Sequence, residues 1–405
     1  MSKKPYTEEQ IVFIQEQYLI NGPEWLEIAE KFNKKYNDER SAVGIERAHQ
    51  RYGGDHIEDT KNIVKQLKQT ARSRKSASAV RKENSLLLEH LSIIDDAKDA
   101  VTSIIRDAKL PQVKIPKPPK KSKAKKDLCK EILLSDLHYG KLVYAVDGEH
   151  ISFNAEIARK RMRYLADIFI REIEDSQKSF NVTKLVVALM GDIIESYTMH
   201  GLESAKGCEF NNSEQMRIAT QSLFEDFIVP VAKLGIPITI PCIPGNHDRT
   251  SKEKTYNQIG VDYVTHVIYH TLEQYCKYSG ITNVEFVITK QSYVVLDIFG
   301  DKILYHHGDL AFRGTGHQKL KNFRKDVEEQ VGFKIRGSRS GHTHEYVVYG
   351  RGEDIVNGCL VGQDDYAHNK GYSTEASQTI NDYVDTKKER TKFYKSFAVS
   401  LESVK

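Results

Sequence analysis

The spacing of apolar residues divides the chain into a helical N-terminal part and a longer part in which strands alternate with helices. Thr7 precedes the first helical run, residues 25–32 form a second, and Ser41 begins a third. A Gly-Pro pair separates the first two runs, as is typical of a helix end. The pattern therefore predicts a small all-α domain over residues 1–55.

From residue 130 onward, short apolar runs typical of buried strands alternate with longer helical stretches. Four of these runs end in polar residues and read EILLSD, TKLVVALMGD, IPITIPCIPGNHD and DKILYHHGD. Helices are predicted near 154–173, 212–230 and 257–277. The alternation predicts an α/β domain over residues 128–405, with polar groups gathered at one edge of a sheet.

A connector in two parts separates these domains. Residues 56–110 include the stretch 61–82, which has eight basic residues and no acidic one. This stretch either follows a phosphate backbone or is a solvated connector. Apolar residues at spacings of four and three over 87–105 predict a heptad-like helix. The helix either pairs two chains into a homo-oligomer or docks on the C-terminal domain. Residues 111–127 contain four prolines and seven lysines and predict an extended, flexible linker.

Charge is distributed unevenly along the chain. The formal net charge of the 405 residues is +4. Residues 1–127 carry 26 Lys and Arg against 19 Asp and Glu, a balance of +7, which leaves 34 against 37, or −3, for the remainder. A basic N-terminal part favours contact with a polyanion, although a solvated basic surface explains the same balance.

Several protein classes are excluded by composition. No apolar run approaches the ~18 residues of a membrane-spanning helix, and the N-terminus lacks the apolar stretch of a secretory signal. The five cysteines are odd in number and none has CxxC spacing. Reduced thiols in a cytoplasmic protein without a membrane partner are therefore expected.

The polar residues that follow the strands carry the candidate chemistry. In chain order they are Asp136-Leu137-His138, Gly191-Asp192, Gly245-Asn246-His247-Asp248, His307-Gly308-Asp309 and Gly341-His342-Thr343-His344. A single histidine after a strand is more often structural than a ligand, so the argument depends on the whole set. Carboxylate, amide oxygen and imidazole together suit Mn²⁺, Fe or Zn²⁺ and not Ca²⁺, which prefers oxygen ligands alone.

This set of motifs resembles the calcineurin-like metallophosphoesterase superfamily. Its five ordered motifs, DxH, GDxx(D/E), GNHD, H and GHxH, are matched over about residues 128–365. The resemblance implies a metallophosphoesterase-type sandwich of β-sheets flanked by helices, and two divalent metal ions, with Mn²⁺ expected and Fe or Zn²⁺ as alternatives. The ligands it implies are Asp136, His138 and His344 for the first metal and Asn246, His307 and His342 for the second, with Asp192 bridging both.

The same resemblance implies roles for the residues beside the metals. A hydroxide that bridges the two ions would attack phosphorus in line with the leaving oxygen. His247 would contact the scissile phosphate and protonate the leaving group, and Asp248 would orient His247. Glu195 falls at the last position of GDxx(D/E) and is expected close to the ligands. Of two adjacent histidines, the HGD pattern favours His307 over His306 as the ligand.

The segment before Gly341 departs from the family pattern. It reads FKIRGSRS and is polar, whereas the family has a buried strand there. Arg336 and Arg339 within it either touch substrate phosphate or are surface arginines. Residues 366–405 are assigned no role.

The N-terminal helices resemble a Myb/SANT-like or helix-turn-helix domain. The segment Tyr6-Thr7-Glu8-Glu9 is similar to its opening pattern, Trp25 to its second aromatic residue and Arg51-Tyr52 to its closing pair. The resemblance implies that the basic third helix enters the major groove of DNA. A three-helix module that binds another protein has the same pattern.

Together these features predict a two-metal phosphoesterase whose favoured substrate is DNA, so that the favoured activity is that of a nuclease. The alternative is a phosphatase that acts on a protein or a small molecule and uses its N-terminal region for docking. A non-enzymatic DNA-binding protein or scaffold with a vestigial metal site is disfavoured, because every expected ligand and His247 are present.

Overall fold

The computed structural model describes residues 5–22, 24–52, 110–145, 148–197, 205–250, 263–309, 316–364, 375–386 and 392–405. The chain divides into two compact units, residues 1–89 and 90–405. Three sequence predictions lie outside the described residues: the basic stretch 61–82, the helix at 87–105 with the homo-oligomer expected from it, and the first turn of the helix at 257–277.

The described part of the N-terminal unit is all-α. Its helices are Glu8–Asn21 (α1), Trp25–Tyr36 (α2) and Ala42–Tyr52 (α3). Thr7 caps α1, because its hydroxyl accepts the Gln10 amide at 3.3 Å while the Gln10 side chain accepts the Thr7 amide at 3.0 Å. The three helices bury a small shared core of Ile14, Ile28, Phe32, Ile45 and Ala48.

Strands and helices alternate in the C-terminal unit. The strands are Asp127–Leu134 (β1), Val143–Tyr144 (β2), Ile151–Phe153 (β3), Asn181–Leu189 (β4), Ile238–Cys242 (β5), Val284–Ile288 (β6), Tyr293–Ile298 (β7), Asp301–His306 (β8), Gly337–Ser340 (β9), Val347–Tyr349 (β10), Asp354–Val356 (β11), Ser377–Val384 (β12) and Phe393–Ser400 (β13). The helices are Ala155–Ser179 (α4), Asn212–Ser222 (α5), Val264–Tyr278 (α6) and His317–Val331 (α7). A π-helical turn, Leu223–Ile228, continues α5 into Val229–Ala232.

Two sheets form the centre of this unit. The larger has six strands in the order β13-β12-β1-β4-β5-β6, and the smaller has five in the order β10-β11-β9-β8-β7. Within the larger sheet β1, β4, β5 and β6 are mutually parallel, whereas β12 and β13 are antiparallel to their neighbours. Because parallel strands end at the same edge of a sheet, the residues that follow β1, β4 and β5 come together.

The sheets and helices form packed layers. Leu133, Val186 and Ala188 of the larger sheet share one apolar cluster with Leu296 and Tyr305 of the smaller sheet. Helices α4, α5 and α6 contribute to a second cluster on the larger sheet, and α7, for which no helix was predicted, covers part of the smaller. The unit is therefore mixed α/β, with sheets flanked by helices. Among the residues described, none of the helices has the length and apolar character needed to cross a membrane.

The segment 111–127, expected to be an extended, flexible linker, is extended and is attached to the C-terminal unit at several positions. Val113 is 8% exposed and belongs to the core of the C-terminal unit, and its amide donates to the Ser279 carbonyl at 2.8 Å. Further along, the Asn181 side-chain amide donates to the carbonyls of Ser122 and Lys125, both at 2.9 Å. The segment is extended, as its prolines require, but it is bound to the unit because it supplies apolar side chains and accepts hydrogen bonds.

The polar C-terminal stretch forms two strands of the larger sheet. Every residue of β12 is buried although its sequence, SQTINDYV, is largely polar. The polar side chains are satisfied by partners in other strands. Lys130 of β1 contacts Asp382 at 2.7 Å, and Asn381 donates to the Glu131 carboxylate at 2.6 Å. Burial of such groups is tolerated only because they are hydrogen-bonded.

The last four residues of the polar segment before Gly341 form the buried strand β9, and neither interpretation of Arg339 is correct. Arg339 of β9 is fully buried, and its guanidinium contacts Glu131 at 3.3 Å and the Tyr383 hydroxyl at 2.6 Å. Tyr305 donates to the same carboxylate. Arg339 is therefore neither a surface residue nor available to a substrate.

Arg339→Met is expected to destabilise the C-terminal unit by about 3–5 kcal/mol, because it leaves Glu131 as a buried charge without its cation. Urea unfolding followed by circular dichroism measures the change, since the single tryptophan, Trp25, lies in the other unit.

Arg336→Met is the matched control. Arg336 pairs with Glu353 at 3.1 Å, but the arginine side chain is 37% exposed. Loss of this pair should therefore lower the free energy of unfolding by less than about 1 kcal/mol. Adding Glu131→Gln to Arg339→Met should recover part of the lost stability. Equal effects of the two arginine substitutions would show that the buried network is not what stabilises this unit.

Candidate metal centre

All the site residues expected from the sequence lie just beyond strand ends. Asp136 and His138 follow β1, Asp192 follows β4, and His307 follows β8. The segments that follow β8 of the smaller sheet and β4 of the larger sheet are in contact, because the His307 Nδ1–H donates to the Met190 carbonyl at 2.9 Å. The structure thus brings together side chains that are up to 208 positions apart between Asp136 and His344.

The first donor cluster consists of Asp136, His138 and His344, whose ligand atoms all lie within 4.8 Å of one another. The His344 Nε2 lies 3.3 Å from Asp136 Oδ1 and 3.3 Å from His138 Nε2. Ligands at ~2.1 Å around a tetrahedral ion are separated by about 3.4 Å. The spacing of these three atoms therefore fits a divalent metal.

The second cluster consists of Asp192, His307 and His342, with Asn246 beside them. The His307 Nε2 lies 3.0 Å from Asn246 Oδ1 and 3.2 Å from Asp192 Oδ2. Because the Nδ1–H of this imidazole already donates to a carbonyl, its neutral form points a lone pair at two oxygen acceptors. The His307 lone pair and the two oxygens repel one another unless a cation lies between them. This set of donors therefore also fits a metal ion.

In the protein itself, the positive charge between these acceptors comes from protonated His307. Burial lowers the pKa of His307, but the adjacent Asp192 carboxylate outweighs it and raises the pKa to about 10. At Asp136, burial raises the pKa, yet the facing His344 imidazole lowers it to about 2. Burial and the cationic His307 lower the pKa of His342 to about 4. The carboxylates are therefore held in the ionised form that ligates metals.

Backbone strain is concentrated at these ligands. Among the described residues, nine other than glycine have positive φ angles. Five of the nine are in the two clusters: Asp136 (55°), His138 (46°), Asp192 (51°), His342 (74°) and His344 (62°). Each such residue costs on the order of 1–3 kcal/mol, and backbone strain of this kind clusters at functional sites.

Two glycines permit the close approach of chain segments at the carboxylates. A Cβ on Gly245 would overlap the Asp192 carboxylate, and a Cβ on Gly341 would overlap Asp136 and Ser135. Because glycine lacks Cβ, the Asp136 carboxylate can instead accept the His342 amide at 3.0 Å. Glycine is therefore favoured in GNHD and GHTH because chain segments pack closely together at this edge of the sheet.

Asp248 does not orient His247, contrary to expectation. Its carboxylate accepts the backbone amides of Asp192 at 2.8 Å, Ile193 at 3.2 Å and Gly245 at 2.6 Å. The His247 Nδ1–H instead donates to the Glu195 carbonyl at 2.7 Å. Asp248 therefore joins the loops after β4 and β5, and a backbone carbonyl sets the tautomer of His247.

The Glu195 side chain faces the first cluster. Its Oε2 lies 2.8 Å from His138 Nδ1, which directs the Nε2 of that imidazole toward the other donors. Lys141 lies 3.6 Å from the Glu195 carboxylate and 2.7 Å from Asp364. Lys141 and Asp364 were not singled out from the sequence. Lys141 follows DLHYG closely enough to have been a candidate, whereas no local pattern indicates Asp364.

The remaining sequence alternatives are resolved by position. His307 belongs to the second cluster, whereas His306 is buried on the other side of the strand, where its ring packs against Phe323 with 4.8 Å between centroids. Arg336 is paired with Glu353, and the two residues lie directly before strands β9 and β11. Cys359, also missed, contacts His344, and with Asp136 it raises the pKa of His344 above its usual range although burial lowers it.

Glu195→Gln is expected to weaken metal binding about 10–100-fold, because the amide no longer stabilises His138 as a ligand. Competition with a chromogenic chelator measures the affinity for Mn²⁺ and Zn²⁺. Glu285→Gln, an exposed change in β6, is the control. Unchanged affinity in Glu195→Gln would remove this carboxylate from the ligand-orienting set.

Comparisons with known proteins give only distant likenesses. No protein-family model matches the chain, and no curated protein matches it. A Zn²⁺ complex of Vps29 from Entamoeba histolytica is 11% identical, with 67% of this chain and 99% of that chain covered and a TM-score of 0.27.

A conserved protein from Streptococcus pneumoniae, described as a predicted phosphoesterase, is 13% identical over 67% of this chain and 98% of its own, with a TM-score of 0.27. A hypothetical protein from Pyrococcus horikoshii is 11% identical over 67% and 88% of the two chains, with a TM-score of 0.31. These likenesses are too distant to bear on the activity of this chain.

Proposed function

We propose that the chain is a metal-dependent phosphoesterase whose substrate is DNA. The observation that carries the proposal is the convergence of two donor clusters on strained backbone, with donor atoms 3.0–3.3 Å apart. In its neutral form each of these imidazoles presents a lone pair at the site, and a mixed set of carboxylate and imidazole donors suits metals that hydrolyse phosphoesters.

The position of Asp192 supports a site for two metal ions. Its carboxylate belongs to the second cluster, and it also lies within 4.8 Å of the donor atoms of His138 and His247. Bound at these clusters, divalent ions would activate water and neutralise charge on the phosphate. Only a carboxylate has two oxygens with which to serve both ions. Asp192 is therefore the proposed bridge.

His247 is the proposed general acid. Its Nδ1–H donates to the Glu195 carbonyl, so any proton that it gives to a leaving oxygen is carried on Nε2. Its ring lies beside that of His138, with 4.8 Å between centroids, and it is partly exposed. The side chain is thus next to the donors yet accessible to a substrate.

The choice of DNA as substrate rests on the N-terminal unit. Val43, Arg47 and Gln50 of α3 are exposed and follow the helical repeat, so they share one face. A helix that presents exposed side chains, among them a cation such as Arg47, can enter a major groove. The balance of +7 over residues 1–127 complements a polyanion.

The proposal is tested by incubating the Mn²⁺-loaded full chain with linear, circular and single-stranded DNA. Cleavage is expected, and Asp192→Asn should abolish it together with metal occupancy. His247→Ala should lower turnover about 10²–10⁴-fold while both metals stay bound. Loss of metal in His247→Ala would make that residue a ligand.

Hydrolysis of a small chromogenic phosphodiester without cleavage of any DNA would instead favour a phosphatase. The N-terminal unit would then be a docking module. Absence of activity on every phosphoester, with metals bound, would contradict the enzymatic proposal.

Arg47→Ala should weaken DNA binding severalfold and reduce the slope of log K against log salt concentration by about 1, as expected for one lost phosphate contact. Hydrolysis of the small phosphodiester should be unchanged. Lys31→Ala removes the same charge from a lysine paired with Glu27 at 2.6 Å and is the control. Equal effects of both changes would argue against α3 as the DNA-contacting helix.

A further inference from the structure

A cavity of about 610 Å³ lies at the opposite end of the smaller sheet from the metal centre. It is lined by the start of β8, the segment before β9 and one side of α7. Strand β8 begins at this cavity with Asp301 and leads to His307 in the second donor cluster. At ~3.3 Å per residue the two places are about 20 Å apart, so the cavity is a separate site.

The walls of this cavity are strongly basic. Six cationic side chains line it, against three carboxylates, a balance of +3. The cations are Lys302, Lys321, Arg324, Lys325, Lys334 and Arg336. This excess stands out because residues 128–405 as a whole have a balance of −3. A concave surface lined by one sign of charge concentrates the potential and attracts the opposite charge.

Internal ion pairs use only part of this charge. Lys334 contacts Glu328 at 3.0 Å, Arg324 contacts Asp354 at 2.6 Å, and Lys302 contacts Asp297 at 3.0 Å. Arg336 is paired with Glu353, but its Nε is buried and has no hydrogen-bond acceptor among the described residues. A donor of this kind is normally satisfied by a partner.

Lys321 and Lys325 are the uncompensated charges. In the part of the chain that the structure describes, neither has an ion-pair or hydrogen-bond partner. They are one helical turn apart on α7 and face the same cavity. Like charges at this spacing destabilise a helix, so the arrangement is unfavourable until an anion lies between them.

We propose that this cavity binds a small ligand through a chain of two or three phosphate groups. Phosphate oxygens match both the lysine ammonium groups and the arginine guanidiniums, which bind them through paired N–H donors. Of the carboxylates in the wall, Glu328 pairs with Lys334 and Glu353 pairs with Arg336. Glu353 also belongs to a group with His317 and Asp354 whose donor atoms lie within 4.8 Å of one another, but Arg324 holds Asp354 at 2.6 Å. The excess of cations therefore favours a phosphate chain over a metal ion as the occupant.

The size of the cavity also favours a small ligand over a nucleic acid. Cavities that hold small molecules measure ~300–1,000 Å³, whereas proteins contact DNA over surfaces of about 1,000–2,500 Å². The proposal concerns binding at a place remote from the donor clusters and does not depend on the phosphoesterase activity.

The first test is calorimetric titration of the full-length chain with inorganic tripolyphosphate in chelator-containing buffer. Lys321→Ala/Lys325→Ala should raise the Kd at least tenfold. Lys319→Ala/Lys290→Ala removes two lysines that do not line the cavity and should change the Kd less than twofold. Alanine preserves the helix, which circular dichroism verifies. No binding to the unmodified chain, or equal losses in both variants, would overturn the proposal.

A second titration distinguishes the sources of the phosphate chain. Equal affinity for tripolyphosphate and a nucleoside triphosphate would show that phosphates alone are recognised, and tighter binding of the nucleotide would assign the cavity to nucleotides. Sulfate should bind at least tenfold more weakly than tripolyphosphate. If Lys321→Ala/Lys325→Ala weakens only the binding of a single-stranded DNA oligonucleotide, the cavity is part of a polynucleotide path and the proposal is wrong.

Discussion

The C-terminal unit is organised around two buried carboxylates, those of Asp136 and Asp192, at one edge of the larger sheet. Burying carboxylates without compensation is prohibitive, so the surroundings must supply donors and positive charge. His344 and His307 provide the charge, and backbone amides such as that of His342 provide donors. The left-handed backbone at the ligands is tolerated because these contacts fix it from several sides.

The need to stabilise these buried carboxylates also explains the contacts of residues that are not expected metal ligands. Asp248 is buried and binds three backbone amides, so it holds the loops after β4 and β5 at a fixed separation. Glu195 uses its carbonyl for His247 and its carboxylate for His138. One residue therefore couples the proposed acid to the first donor cluster. Such supporting contacts determine the orientation of ligands as strongly as the ligands' own positions.

Buried polar networks also occur away from the candidate metal centre. Glu131 is buried between the sheets with Arg339, Tyr383 and Asn381 as partners. A complete network of this kind rigidifies the packing of the sheets, whereas a partial one would leave a buried charge. In the basic cavity beside α7, by contrast, the charges of Lys321 and Lys325 lack partners within the described chain. That difference separates structural polar groups from candidate ligand-binding groups.

The order of the motifs, the strands that deliver them and the helices within residues 8–52 could be predicted from the sequence alone. Apolar runs before Asp136, Asp192 and His307 indicate burial directly, because those side chains must leave water. Strands β9 and β12 were not predicted, since their buried polar side chains are satisfied by partners far away in sequence. Those partners, the role of Asp248 and the contacts of the 111–127 segment follow only from the packing of segments that are far apart in the chain. Hydrogen bonds and close contacts between distant segments leave no periodic signal in a sequence, whereas hydrophobic burial does.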